Sequence, residues 1–320
     1  MTVDKGVLVE NRREPVRIAD KARNEKESAK NAQVTAARGF VTSKDGTAIS
    51  YRQVGRGPAL VLLHGTMVAA RDFTQLADAL ADTYTVYTPD RRGRGLSGPF
   101  GEYHTMAREV EDLAALLART GARDVFAVSL GGLIALQAAL TLRGIDRIAV
   151  YEPALLKNGA QWIPLLKRYD REIAEGKVAD ALVTSLKVTK IGGPMLNVMP
   201  RSLLVSMTEK GMAAEDANAQ PGDVTMRRLA PTFHYDAQLI LGMAGKAESL
   251  RGVSSRVLLL GGTKSPRWLR DALDRAARVL PHAERVILPG LDHSGSTNVS
   301  MMNRTGRPDL VAQQLKRFFA

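Results

Sequence analysis

From Gly39 onward the chain alternates short, continuously apolar runs with longer stretches whose apolar positions recur every three or four residues. The short runs predict strands at Ile49–Val54, Ala59–Leu63, Thr85–Thr88, Asp124–Val128, Ile145–Tyr151, Arg256–Leu260 and Glu284–Leu288. Several lack the polar alternation of a half-exposed strand, as expected of strands buried on both faces. Helical periodicity fills most of the gaps, at Asp72–Ala81, Thr105–Thr120, Leu130–Leu142, Pro266–Val279 and Pro308–Phe319. Strand and helix in turn predict βαβ units and a parallel sheet.

Two segments stand outside this rhythm. Residues 1–37 are polar and charged with little to bury, and read as an extension. Residues 154–252 are helical and rich in Met, too long for a bare loop in a compact domain, and read as an inserted helical lid between core segments 38–153 and 253–320.

Composition narrows the chemistry. With 320 residues, 45% of them hydrophobic, the chain has material for a large core. It contains no cysteine, so disulfides, thiolate metal sites and cysteine nucleophiles are excluded. No apolar run reaches the length of a membrane helix, and the N-terminus carries charge where a secretory signal would be apolar, so a cytoplasmic protein without a membrane partner is expected. The net charge of +12 arises from basic residues scattered among acidic ones, without aromatic interleaving. That distribution argues against a nucleic-acid partner.

Three motifs sit at predicted strand ends. Leu63-His64-Gly65-Thr66 offers a sharp turn with free amides, and Pro89-Asp90-Arg91-Arg92-Gly93-Arg94-Gly95-Leu96-Ser97-Gly98 is a glycine-rich loop that also reads as a structural turn. Ala127-Val128-Ser129-Leu130-Gly131 runs from an apolar strand through a serine into an apolar helix. It departs from G-x-S-x-G by Ala127, and a serine that merely caps the helix would read the same way.

The ordered set of these motifs, followed by a long insertion and a last short strand leading to Pro289-Gly290-Leu291-Asp292-His293, resembles the α/β-hydrolase superfamily over roughly residues 39–320. The resemblance implies an α/β fold with a mostly parallel eight-stranded sheet flanked by helices, and an active site at the strands' C-terminal ends beneath a lid. It implies Ser129 as nucleophile, His293 as base, and the amides of Leu130 and Thr66 as an oxyanion hole. Of the other histidines, His64 belongs to a turn, His104 opens a surface helix, His234 lies near the end of the insertion and His282 sits in a polar connection.

The acid departs from the common pattern. Most relatives carry an aspartate after the strand ending at Leu260, but here the loop reads Gly261-Gly262-Thr263-Lys264-Ser265-Pro266. The family's second location, the end of the strand before the lid, holds Glu152, with Asp236, Asp271 and Asp274 as alternatives.

A serine so equipped fits attack on a carboxylic ester, thioester or amide through an acyl-enzyme, with no cofactor and no metal. The expected partner is a small molecule with an apolar acyl or alcohol group, contacted by Trp162, Met195 and Met199 within a lid that also offers Leu165, Leu166, Met207 and Met212. Acyl transfer or cyclisation, a cofactor-free lyase or isomerase step, and a catalytically silent binding protein on the same fold remain open at this point.

Overall fold

Strand interiors such as Leu60-Val61-Leu62-Leu63 and Val125-Phe126-Ala127-Val128 are buried at every residue, and their side chains divide by parity between two cores. Val61, Leu63, Val125 and Ala127 join one, whereas Leu60, Leu62, Phe126 and Val128 join the other. Such a strand is stable only inside a sheet covered on both faces. The computed structural model, which describes residues 36–191, 198–220, 223–300 and 303–320, has that sheet.

Eight strands lie in the order β1-β2-β4-β3-β5-β6-β7-β8. They are β1 (Ala37–Thr42), β2 (Ala48–Gly55), β3 (Ala59–Leu63), β4 (Thr85–Pro89), β5 (Asp124–Val128), β6 (Arg147–Tyr151), β7 (Arg256–Gly262) and β8 (Ala283–Leu288). β2 runs antiparallel to both its neighbours, and β4-β3-β5-β6-β7-β8 pair in parallel. Helices α1 (Thr74–Leu80) and α10 (Pro308–Phe319) cover one face. Helices α2 (Met106–Thr120), α3 (Leu130–Thr141) and α9 (Arg267–Val279) cover the other.

Between β6 and β7 the chain forms α4 (Ile163–Ala174), α5 (Val178–Thr189), α6 (Arg201–Asn218), α7 (Met226–Leu229) and α8 (Thr232–Gly242). Leu239 and Met243 at the end of this segment join the core under α3, while Ala179, Leu182, Met212 and Ala230 form a separate small apolar cluster. Among the described residues no helix is long and apolar enough to cross a membrane.

The sheet differs from the sequence reading at its edges. β1 escapes periodicity because its sequence, Ala37-Arg38-Gly39-Phe40-Val41-Thr42, has no sustained apolar run, and Val41 is its one buried residue. The helix expected from Asp72 starts at Thr74, after a 3-10 turn over Ala70–Phe73 in which Asp72 accepts the Ala69 amide at 2.8 Å. β6 starts at Arg147 rather than Ile145, because the amide of Asp146 is taken by the Arg123 carbonyl.

Candidate active site

Register brings three loops to one place. Val128 pairs with Tyr151 and Tyr151 with Leu260, so Ser129, Glu152 and Gly261 each lie at or one step beyond the same level of adjacent parallel strands, about 4.8 Å apart in sequence of strands. The amide of Ser129 donates to the Tyr151 carbonyl at 3.0 Å, and that of Glu152 to the Leu260 carbonyl at 2.9 Å.

Ser129 has φ of 56° and ψ of −117°, where a non-glycine residue is strained. The packing around it explains why it stays there. A methyl group on Gly65 would come 2.9 Å from Ser129 Cβ, and one on Gly131 would come 2.6 Å from the carbonyl oxygens of Leu63 and His64. The helix start is thus pressed against the β3 turn, a contact only glycine permits. Ser129 stands at the N-terminus of α3, whose unpaired amides and dipole favour negative charge. Among the described residues the amides of Leu130 and Thr66 have no hydrogen-bond acceptor.

Glu152 also has positive φ, 50°, and is buried. Its Oε2 lies 2.7 Å from Nδ1 of His293, and its Oε1 accepts the Gly262 amide at 2.8 Å. β7 runs two residues past the expected Leu260, and its last residues, Gly261 and Gly262, give Glu152 space and an amide where the common pattern leads to an aspartate. A methyl group on Gly261 would sit 3.3 Å from Glu152 Oε1, so the missing side chain there leaves room for Glu152. With the carboxylate at Nδ1, that nitrogen carries the proton and Nε2 is left as an acceptor.

The His293 loop is stitched to the same strand ends. Tyr151 Oη donates to the Asp292 carbonyl at 2.6 Å, the Lys264 amide to the Leu291 carbonyl at 2.9 Å, and the Gly290 amide to Thr263 Oγ1 at 2.9 Å. Burial pushes the Tyr151 phenol well above its ordinary range, so it stays a donor.

The alternative acids are engaged elsewhere. Asp236 is fully buried against Arg91 at 2.9 Å and Arg94 at 2.5 Å, Asp271 faces Arg267 at 3.7 Å, and Asp274 faces Arg285 at 2.5 Å. The other histidines have other surroundings. His64 accepts the Arg91 amide at Nε2 and meets the Gly65 carbonyl at Nδ1, and burial holds its pKa well below the usual value. His104, expected on a surface helix, is instead largely buried beside Glu109 and Tyr235, and burial lowers its pKa to about 4. His234 pairs with Asp170, and His282 is exposed.

Of the residues expected to contact substrate, Trp162 is half-buried, edge-on to Trp268 at 5.3 Å, with Nε1 unpartnered among the described residues. Met199 precedes α6, and its carbonyl accepts Lys187 Nζ at 3.1 Å. Met195 lies outside the described residues. No hydrogen bond or ring contact of Trp162 or Met199 among the described residues involves Ser129, Glu152 or His293. Met212 belongs to the apolar cluster and Met207 is exposed.

Sequence reasoning did not find the buried network in which Arg91 binds Glu109 and Asp236 while Arg94 binds Asp236 and Thr232, joining the β4 loop to α8. The signal was present as three arginines in the glycine-rich loop, but their partners lie up to 145 residues away. Among the described residues no group of His, Asp and Glu is arranged to hold a metal ion.

A sheet of this order with a strained serine between β5 and α3, and a carboxylate–histidine pair on the neighbouring strand ends, defines an α/β hydrolase. The chain belongs to the alpha/beta hydrolase family, whose profile matches residues 60–314. It is 28% identical over 83% of its length, and 97% of theirs, to the pimeloyl-[acyl-carrier protein] methyl ester esterase of Xanthomonas axonopodis pv. citri. A shorter stretch of 96 residues, 29% of this chain, is 40% identical to a non-heme haloperoxidase of Rhodococcus erythropolis and spans 35% of that protein. Among solved structures, an alpha/beta hydrolase from Sphaerobacter thermophilus is 30% identical and superposes with a TM-score of 0.68 over 88% of this chain and all of that one. Its relatives and structural neighbours include esterases and other hydrolases, and the chain is an esterase-like α/β hydrolase.

Proposed function

We propose that this protein is a serine esterase in which Ser129, His293 and Glu152 form a catalytic triad and the amides of Leu130 and Thr66 form the oxyanion hole. The observation that carries this reading is the 2.7 Å contact between Glu152 Oε2 and His293 Nδ1, made one strand away from a serine in a strained, protruding turn. A carboxylate at Nδ1 fixes the tautomer whose Nε2 accepts a proton and stabilises the imidazolium that results.

Ser129 Oγ attacks the ester carbonyl as its proton passes to His293 Nε2, and the carbonyl π electrons move onto oxygen. The two amides and the α3 dipole stabilise that oxyanion. Collapse breaks the ester C–O bond, and His293 returns the proton to the departing alcohol. Water then repeats the sequence on the acyl-enzyme, giving the acid and free Ser129.

Helices α4–α8 act as a lid on this site, and their apolar residues favour an ester with an apolar acyl or alcohol group. The full-length similarity to a methyl ester esterase supports a carboxylic ester as substrate. A panel of para-nitrophenyl esters from acetate to decanoate tests this reading. Turnover that rises with chain length and disappears in Ser129→Ala agrees with it, whereas equal rates on all acyl chains refute the apolar lid pocket.

A further inference from the structure

The residue after Thr66 is Met67, with φ of 59°, one of few non-glycine residues in the left-handed region. Met has no local reason to adopt that conformation. Its side chain supplies the reason. Met67 packs against the cluster of Ala179, Leu182, Met212 and Ala230, and also against the small cluster of Ala69, Val224 and Leu229. All of these except Ala69 belong to the segment between β6 and β7. One turn further on, Arg71 pairs with Glu215 of α6 at 2.5 Å and with Asp223 at 3.4 Å. The loop bearing the Thr66 amide is thus fastened to the helical segment twice within five residues.

We infer that Met67 is a positioning residue that couples the helical segment to the oxyanion hole. The inference rests on the triad reading above and adds a role for a residue outside it. Packing of the half-buried Met67 side chain against these clusters offsets the strain of its positive φ, and that φ sets the direction of the peptide between Thr66 and Met67 and of the loop before it. When the helical segment lifts away, Met67 loses its apolar partners and relaxes to a right-handed or extended conformation, turning the Thr66 amide from Ser129. The oxyanion hole is then complete only while the helices are seated, so bound substrate and not bulk water meets the competent site.

The test compares Met67→Leu, Met67→Val, Met67→Ala and Met67→Gly in the full chain, with kcat counted per serine titrated by a fluorophosphonate so that unfolded protein does not enter. Met67→Leu retains wild-type kcat within about twofold. Met67→Ala, which keeps the backbone preference but loses the packing, loses about 5- to 30-fold in kcat, the factor by which a non-glycine residue disfavours the left-handed region. KM for a para-nitrophenyl ester changes less than kcat.

Met67→Gly, which loses still more packing but has no such backbone preference, is more active than Met67→Ala. A purely structural role, whose cost falls on folding and not on kcat per titrated serine, predicts equal kcat in the two. Met67→Val keeps apolar bulk but is β-branched, and falls well below Met67→Leu; this pair decides the matter even if Met67→Ala does not fold. Wild-type kcat in both Met67→Ala and Met67→Val, or Met67→Gly no more active than Met67→Ala, overturns the inference while leaving the triad intact. Absence of fluorophosphonate adduct on Ser129 in the wild type overturns both.

Discussion

Replacing Glu152 by Gln changes one oxygen for an NH2 group inside a buried, fully engaged site, and its consequences follow from the geometry. Gln retains the size of Glu, and its Oε1 still accepts the Gly262 amide, now at 2.8 Å from the carboxylate. That leaves the new NH2 facing His293 Nδ1, where the carboxylate stands at 2.7 Å. A donor there forces Nδ1 to accept, so the proton moves to Nε2, the nitrogen that in the proposed triad takes the proton of Ser129. The stabilisation of the imidazolium by a buried negative charge is lost together with the tautomer. The corresponding carboxylate-to-amide change in a serine protease triad lowers kcat by about 10⁴, equivalent to roughly 5 kcal/mol of barrier.

For Glu152→Gln we therefore expect a fall of about 10³- to 10⁴-fold in kcat on a para-nitrophenyl ester, with KM within a few-fold and the thermal midpoint nearly unchanged. Asp271→Asn and Asp274→Asn, each removing an exposed ion pair on α9, leave kcat at the wild-type value. Stopped-flow release of para-nitrophenol measures all three. Glu152→Gln activity within tenfold of wild type, in folded protein, would refute the assignment of Glu152 and the tautomer logic with it.

Gly131→Ala places a methyl group 2.6 Å from two β3-turn carbonyl oxygens, so the turn must open; denaturant unfolding should show a loss of about 2–4 kcal/mol and activity should vanish with it. Asp236→Asn leaves Arg91 and Arg94 buried with one carboxylate, Glu109, between them, and chemical denaturation should report a loss of about 3–5 kcal/mol. Asp72 has its carboxyl raised to about 6, mainly by burial, against 3.8 in the unfolded chain. The folded state therefore binds that proton more tightly, and stability declines as pH rises from about 4 through 6. Its side chain is 29% exposed, which trims the effect to about 1–2 kcal/mol. Thermal scans should show Asp72→Asn gaining on wild type between pH 4 and pH 8, and a constant difference across that range would count against the burial.

The inner strands were legible because they are apolar on both faces, most helices because their period is 3.6, and the edge strand β8 because Val286, Ile287 and Leu288 form an apolar run; β1 was not, since Arg38, Gly39 and Thr42 leave it no such run. The placing of Ser129, Glu152 and His293 after neighbouring strands could be anticipated, because parallel register carries strand ends to a common level, and Glu152 and His293 meet there. What sequence withheld was side-chain partnership across long separations. Nothing local says that His104 is buried or that Asp236 serves two arginines, because both depend on how α8 sits against the β4 loop. Met67 is hidden for the same reason, its conformation being set by residues more than a hundred positions away. Gly261-Gly262 was read as the absence of an acid; in three dimensions the pair is the space and the amide that receive Glu152.

The central claim is that Ser129 is a nucleophile activated by His293. The most direct measurement is mass spectrometry of the intact protein and its peptides after treatment with a fluorophosphonate. The account predicts a single adduct on the peptide containing Ser129, absent in Ser129→Ala and formed at least a hundredfold more slowly in His293→Ala. A folded wild-type protein that takes no adduct, or takes it at another residue, would contradict it.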